Sequence, residues 1–215
     1  MNKCLITLTG YTCSGKSYLL NKMNETEFFK KIPSFTTRPP RSGEIKDVDY
    51  FFIDEHQFKI IQGNEGFVEL FKYGQYFYGM SQKYFNTVLN ESKIPVIICT
   101  PEGVQTYETY CKNNQIDMIK VYVYLDEEER LLRLLNRMFK GIQNDVSDEN
   151  VRLAIADEKI KLTLFENIKR CRNTYVVEQN WFGMNKWDVI VPGNNVDDAI
   201  SLINKKLTQI KENVL

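Results

Sequence analysis

Short runs of β-branched and aliphatic residues alternate with amphipathic stretches along the chain. The runs at 4–9 (CLITLT), 95–99 (PVIIC), 119–125 (IKVYVYL) and 187–191 (WDVIV) are short and apolar enough to be buried strands. Each is followed by a helical pattern, at 15–23, 102–113, 127–139 and 196–210. The last of these places Val196, Ile200, Ile203, Leu207 and Ile210 on one face. Another helix is expected over 148–172, where Val151, Ile155, Leu162, Phe165 and Ile168 form the apolar stripe. Strand–helix alternation of this kind predicts an α/β fold whose parallel core sheet is flanked by helices.

About 85 residues separate the first apolar run from the second, far more than one crossover helix needs. Residues 32–92 therefore read as an insert. It opens on a loop carrying Pro33, Arg38, Pro39, Pro40 and Arg41, then passes through aromatic alternating segments at 50–53, 67–71 and 75–78. These predict a small antiparallel sheet with one or two helices. A second irregularity, the polar stretch KGIQNDVS at 140–147, reads as a mobile lid-type loop. The expected organisation is one domain over 1–215, with a core of 1–31, 93–139 and 149–215, the insert at 32–92 and the lid at 140–148.

Charge narrows the range of partners. Lys+Arg and Asp+Glu both number 28, so the net charge is zero and no global field draws the chain onto nucleic acid or an anionic membrane. Any anion must be bound by a local cluster. Cys4, Cys13, Cys99, Cys111 and Cys171 are scattered, with no C-x-x-C pair and a single histidine, His56, which reads as a surface or packing residue. The expectation is a reduced, zinc-free, cytoplasmic protein, because no apolar run approaches the ~18 residues of a membrane span.

The chemistry begins at 10–17. Gly10-Tyr11-Thr12-Cys13-Ser14-Gly15-Lys16-Ser17 satisfies G-x-x-x-x-G-K-[ST] directly after a predicted strand and at the opening of a predicted helix. Glycines there let backbone N–H groups wrap phosphates, and the helix N-terminus favours negative charge. Lys16 would neutralise the β- and γ-phosphates, and the Ser17 hydroxyl could hold Mg²⁺. In the insert, Arg38 and Arg41 lie three apart among prolines that fix the backbone, a preorganised fork for a second phosphate.

At these residues the chain resembles the guanylate kinases. The family pattern S-x-x-T-R-x-P-R-x-G-E is met by Ser34 and Thr37-Arg38-Pro39-Pro40-Arg41-Ser42-Gly43-Glu44. Asp49-Tyr50-Phe51-Phe52, Gly66-Phe67-Val68-Glu69 and Tyr78-Gly79-Met80-Ser81 follow in the family's order. Arg133-Leu134-Leu135-Asn136-Arg137 resembles the R-L-x-x-R that opens the lid, and Arg152-Leu153 its second lid arginine. The segment 187–199 faintly resembles the family's stretch near the adenine, which brings in Asn194 as an ATP contact.

The resemblance implies a P-loop NTPase fold with a monophosphate-binding insert and a lid, and ATP:nucleoside-monophosphate phosphotransfer with Mg²⁺ as cofactor. Arg38, Arg41, Tyr50 and Tyr78 would hold the acceptor's phosphate, with Ser81 beside them, while Ser34 and Glu69 read the base. A carboxylate at Glu69 can accept from both N1–H and the 2-amino group of guanine, and repels the N1 lone pair of adenine. Arg137 and Arg152, at the two ends of the lid, would close on the transferring group beside Lys16 and Arg41. Arg130 shares a helix face with Arg133 and Arg137 and reads as structural. No general base is needed, since the acceptor oxygen is already anionic.

The chain departs from the family in several places. Where the family shows D-x-D after the second core strand, this sequence has Ile98 and Thr100, and Glu102 would replace those acids at most in part. Met80 stands where the family has a hydroxyl near the base, Leu70 replaces a tryptophan after Glu69, and the interval from Arg137 to Arg152 is longer than usual. A divergent member, viral or phage-type among the options, fits these changes. Three readings stay open: a kinase for GMP or dGMP, a kinase for another (deoxy)nucleoside monophosphate, and an inactive guanylate-kinase-like protein-binding module. The intact Lys16 and Ser17 weigh against the last. Expected partners are ATP and the monophosphate, with no nucleic acid or membrane, in a monomer or homodimer.

Overall fold

The computed structural model describes residues 3–40, 43–139 and 180–212. The chain begins with β1 (Cys4–Thr9), α1 (Lys16–Asn24) and a short edge strand, β2 (Phe29–Lys31). The insert contributes β3 (Ser34–Thr36), β4 (Tyr50–Phe52), α2 (Glu55–Asn64), β5 (Phe67–Tyr73), β6 (Tyr76–Ser81) and α3 (Gln82–Leu89). The core resumes with β7 (Ile94–Ile98), α4 (Pro101–Asn113), β8 (Asp117–Tyr124) and α5 (Glu127–Phe139), and closes with β9 (Val189–Pro192) and α6 (Val196–Glu212).

Five strands form the core sheet in the order β2-β7-β1-β8-β9, every neighbouring pair parallel. Alternation of side chains along the strands divides the apolar residues between two faces. Ile6, Leu8, Val96 and Val121 pack with Leu19 and Met23 of α1 and Ile203 of α6. Leu5 and Ile97 pack on the other side with Phe85 and Val88 of α3 and Val104 and Tyr107 of α4. With both faces covered, the strands are apolar almost throughout, which is why they read as unbroken runs.

The predicted strands and helices recur within one to three residues at their ends. The sequence reading lacks β2. Phe29-Lys30-Lys31 is short and two-thirds charged, and only its edge position lets Lys30 reach Glu91 and Lys31 reach Asp49. The insert has two helices and a four-stranded sheet, β4-β3-β6-β5. The antiparallel expectation holds for β5–β6 and β3–β6, whereas β3 and β4 run parallel because the Arg/Pro loop carries the chain back to the same end. The lid at 140–148 and the helix expected over 148–172 lie outside the described residues.

Local signals set the helix ends. Asp54 and Gln57 form a reciprocal capping box at α2. Thr100 accepts from the Gly103 backbone N–H at the start of α4, with Pro101 in the first turn. Phe85 joins the insert to the core, its ring 5.6 Å from that of Tyr107, and is fully buried. Phe85→Ala is expected to cost about 3–5 kcal/mol, read as a lowered urea midpoint at unchanged slope.

Candidate active site

The loop at 10–17 leaves the C-terminal end of β1, the central strand of the core sheet, and enters α1. Gly10 and Gly15 have φ of 154° and 102°. A Cβ at Gly10 would lie 2.3 Å from the Val123 carbonyl oxygen, and one at Gly15 2.4 Å from that of Gly193. Backbone therefore presses on backbone on both sides, and only glycine fits. Cys13 also adopts a positive φ, 65°, a conformation that an L-residue tolerates at some cost. Lys16 Nζ donates to the carbonyl oxygens of Gly10 and Tyr11, each at 2.7 Å, so the ammonium spans the loop. Ser14 is buried, and Tyr11 stacks under the Arg130 guanidinium at 5.3 Å. Arg130 itself is buried, 7% exposed.

A cleft of about 700 Å³ runs from this loop to the insert. Thr12, Cys13, Gly15, Lys16 and Ser17 of the loop line it together with Ser34, Glu44, Asp49 and Tyr50 of the insert, Ile98 of β7 and Arg133 of α5. Phosphate-loop residues and two of the expected acceptor-site residues thus share one cavity. Arg133 is a cleft residue that the sequence reading left out of the site. Its signal was present as the first arginine of R-L-x-x-R, held by Glu129 one turn earlier. Asn194 donates to the other Glu129 oxygen at 3.1 Å, tying the loop before α6 to the same carboxylate.

Arg38 is 7% exposed and fully engaged along one edge. Nη2 donates to both Glu44 carboxylate oxygens at 2.9 Å, Nη1 donates to the Pro39 carbonyl oxygen, and the guanidinium lies 5.4 Å from the Tyr50 ring centre. Its Nε has no partner. Tyr78 stacks on Phe71 at 5.2 Å and meets Tyr50 edge-on. Ser81 sits elsewhere: its hydroxyl accepts from the Tyr84 N–H to cap α3 and donates to Glu65. Met80 packs in the core with Phe85 and Ile97. Arg41 and Arg152 lie outside the described residues, as does the side chain of Arg137 on α5.

Glu69, on β5, is 5% exposed. Tyr107 Oη donates to its Oε2 at 3.2 Å, and Oε1 has no partner. Burial pushes the Glu69 carboxyl up to about 7, with the Tyr107 hydrogen bond pulling the other way. Burial also raises the Tyr107 hydroxyl and the Cys99 thiol well above their usual values.

The cation-binding potential follows from the donor set. Ser17 offers one neutral oxygen in the cleft, while Asp49 pairs with Lys31 and Glu44 with Arg38. Ile98 brings hydrocarbon, and Glu102, exposed on α4, is not among the cleft's lining residues. No group of three or more His, Cys, Asp or Glu among the described residues could cage a metal. The set fits a hard cation carried in on phosphate oxygens, with one hydroxyl ligand from the protein.

A phosphate loop at the end of a parallel sheet, facing an inserted sheet across a shared cleft, defines a P-loop nucleoside monophosphate kinase. The guanylate kinase family model matches residues 2–168. A guanylate kinase of Chlamydia muridarum is 32% identical over 162 residues, covering 72% of this chain and 76% of that one. One from Latilactobacillus sakei is 30% identical over 160 residues, covering 74% and 75%. The crystal structure of guanylate kinase from Anaplasma phagocytophilum shares the fold, with a TM-score of 0.59 at 17% identity over 97% of this chain and 86% of that one. The chain belongs to the guanylate kinase family.

The raised Glu69 carboxyl has a thermodynamic consequence. A glutamate that ionises near 4.5 unfolded but near 7 folded adds stability that is complete below pH 4.5 and lost as pH rises through 7. The difference is of order 3 kcal/mol. Glu69→Gln cannot ionise, so thermal melts should show the wild type losing stability relative to this variant between about pH 4.5 and 7.

Proposed function

We propose that this enzyme transfers the γ-phosphoryl group of ATP to GMP or dGMP. The observation that carries the reading is the single cleft joining Lys16 and Ser17 to Ser34 and Tyr50. ATP would lie with its phosphates in the loop 10–17 and its adenine toward Asn194. The acceptor would lie over the insert, its phosphate held by Arg38, Arg41, Tyr50 and Tyr78 and its base by Ser34 and Glu69. Ser81, engaged as a helix cap, is left with packing that segment.

With an anionic acceptor oxygen no proton need be removed, so this chain's residues position and neutralise. Lys16 and the N-terminus of α1 stabilise charge on the donor phosphates, and Arg133 approaches from α5. Ser17 would hold Mg²⁺, which when bound neutralises charge between the β- and γ-phosphates. The lid at 140–148 would bring Arg137 and Arg152 over the transferring group and exclude water that would otherwise hydrolyse ATP. Arg38 must share its fork between Glu44 and the acceptor phosphate, a rearrangement that confines its full positive field to the loaded site. The enzyme would work in the cytoplasm on its two nucleotides, as a monomer or homodimer; no described helix is long and apolar enough to cross a membrane.

The test is phosphoryl transfer from Mg-ATP to a panel of ribo- and deoxyribonucleoside monophosphates. Turnover is expected with guanine nucleotides, and Lys16→Met should lower kcat by about a hundredfold or more. Turnover confined to another base would overturn the acceptor assignment, and ATP binding without transfer would move the chain to a binding module.

A further inference from the structure

Glu69 is seated by α4, and its seat has two independent features. Tyr107, fully buried among Phe85, Val104 and Cys111, donates to Oε2. Gly103, one turn earlier, is the reason the carboxyl can come so close: a Cβ there would lie 2.0 Å from Oε1 and 3.0 Å from the Glu69 carboxyl carbon. Thr100, where the resemblance leads one to expect an acid, has its hydroxyl engaged as the cap of α4. No cationic side chain is seen to pair with Glu69 among the described residues. The carboxyl thus has one resident donor and one unpartnered oxygen, an arrangement that leaves a buried acceptor unsatisfied until a further donor arrives.

We propose that Tyr107 is the positioning residue for base recognition: its hydroxyl fixes Glu69 through Oε2 and leaves Oε1 as the acceptor that an incoming base must supply with an N–H. The inference rests on the assignment of Glu69 to base reading. Tyr107 acts through Glu69 and touches no substrate itself. A neutral hydroxyl orients the carboxyl without adding a like charge that would oppose its ionisation. The other titratable groups around the pair are Cys99, beyond β7, and Cys111, also on α4. Burial keeps both thiols neutral through the physiological range, with Cys111 pushed up to about 12. Glu69 is then the group whose charge changes near neutrality.

Tyr107→Phe keeps the ring against Phe85 and removes only the hydroxyl; Tyr107→Met, smaller but flexible and likewise without a hydroxyl, serves where the first variant folds poorly. The experiment is steady-state kinetics with full-length protein against GMP and ATP from pH 5.5 to 9, with Glu69→Gln alongside. The acceptor phosphate titrates near pH 6 in every variant, so only displacements between variants are read. Loss of the hydroxyl should raise KM for GMP about tenfold, leave kcat and KM for ATP within about twofold, and move the acid limb of kcat/KM for GMP to higher pH. A merely structural role would not move that limb. Unchanged KM and acid limb in the Tyr107 variants, with Glu69→Gln impaired on guanine nucleotides, would overturn the inference alone. Unchanged guanine kinetics in Glu69→Gln would overturn the base-reading assignment and this inference with it.

Discussion

The site depends on a contact between backbones. Gly10 and Gly15 of the phosphate loop lie directly against the carbonyls of Val123 and Gly193, at the C-terminal ends of β8 and β9. Gly193 N–H donates to the Tyr124 carbonyl at 2.7 Å, which holds the facing wall in place. The loop's shape is thus fixed by strands on one side of β1, while the chain crosses to the other side to form β2 and the insert. Crevices outside the carboxyl ends of parallel strands, where the strand order reverses, are where open α/β sheets bind ligands. Here the reversal places the inserted sheet opposite the loop, and the cleft of about 700 Å³ follows from it.

The two ends of that architecture solve different electrostatic problems. The phosphate-loop end is cationic, with Lys16 and Arg133 lining a cavity in a chain whose net charge is zero. Charge there is local, and long-range steering contributes little. The surroundings of Glu69 are apolar and closed. Glu69, Tyr107 and Cys99 are buried together, and a carboxyl so placed is costly to ionise unless donors reach it. On the proposed reading of Glu69, that cost would make the site selective, because only a base offering N–H groups at the right edge relieves it.

The parts legible in the sequence are those whose signal is local. The loop motif, the apolar runs of the core sheet and the face of α6 each lie within a short window, and the structure reproduces them. The parts that escaped depend on distant residues. β2 is visible only through its pairing with β7, since Phe-Lys-Lys carries no strand signal of its own. The parallel pairing of β3 with β4 depends on the path of the Arg/Pro loop. The burial of Met80 beside Phe85 likewise depends on how β6 sits against α3 and β7, which its motif does not reveal. Tyr107 reads as one more apolar position of a helix, and its bond to Glu69 spans 38 residues.

The central claim is that donor and acceptor occupy one cleft at the same time. A single ligand in which adenosine and guanosine are joined through their 5′ oxygens by five phosphates tests it most directly by isothermal titration calorimetry. The account predicts one equivalent bound per chain, far more tightly than ATP or GMP alone, with either nucleotide competing for the site. Binding no tighter than ATP, or two equivalents per chain, would mean that the phosphate loop and the insert do not form one site.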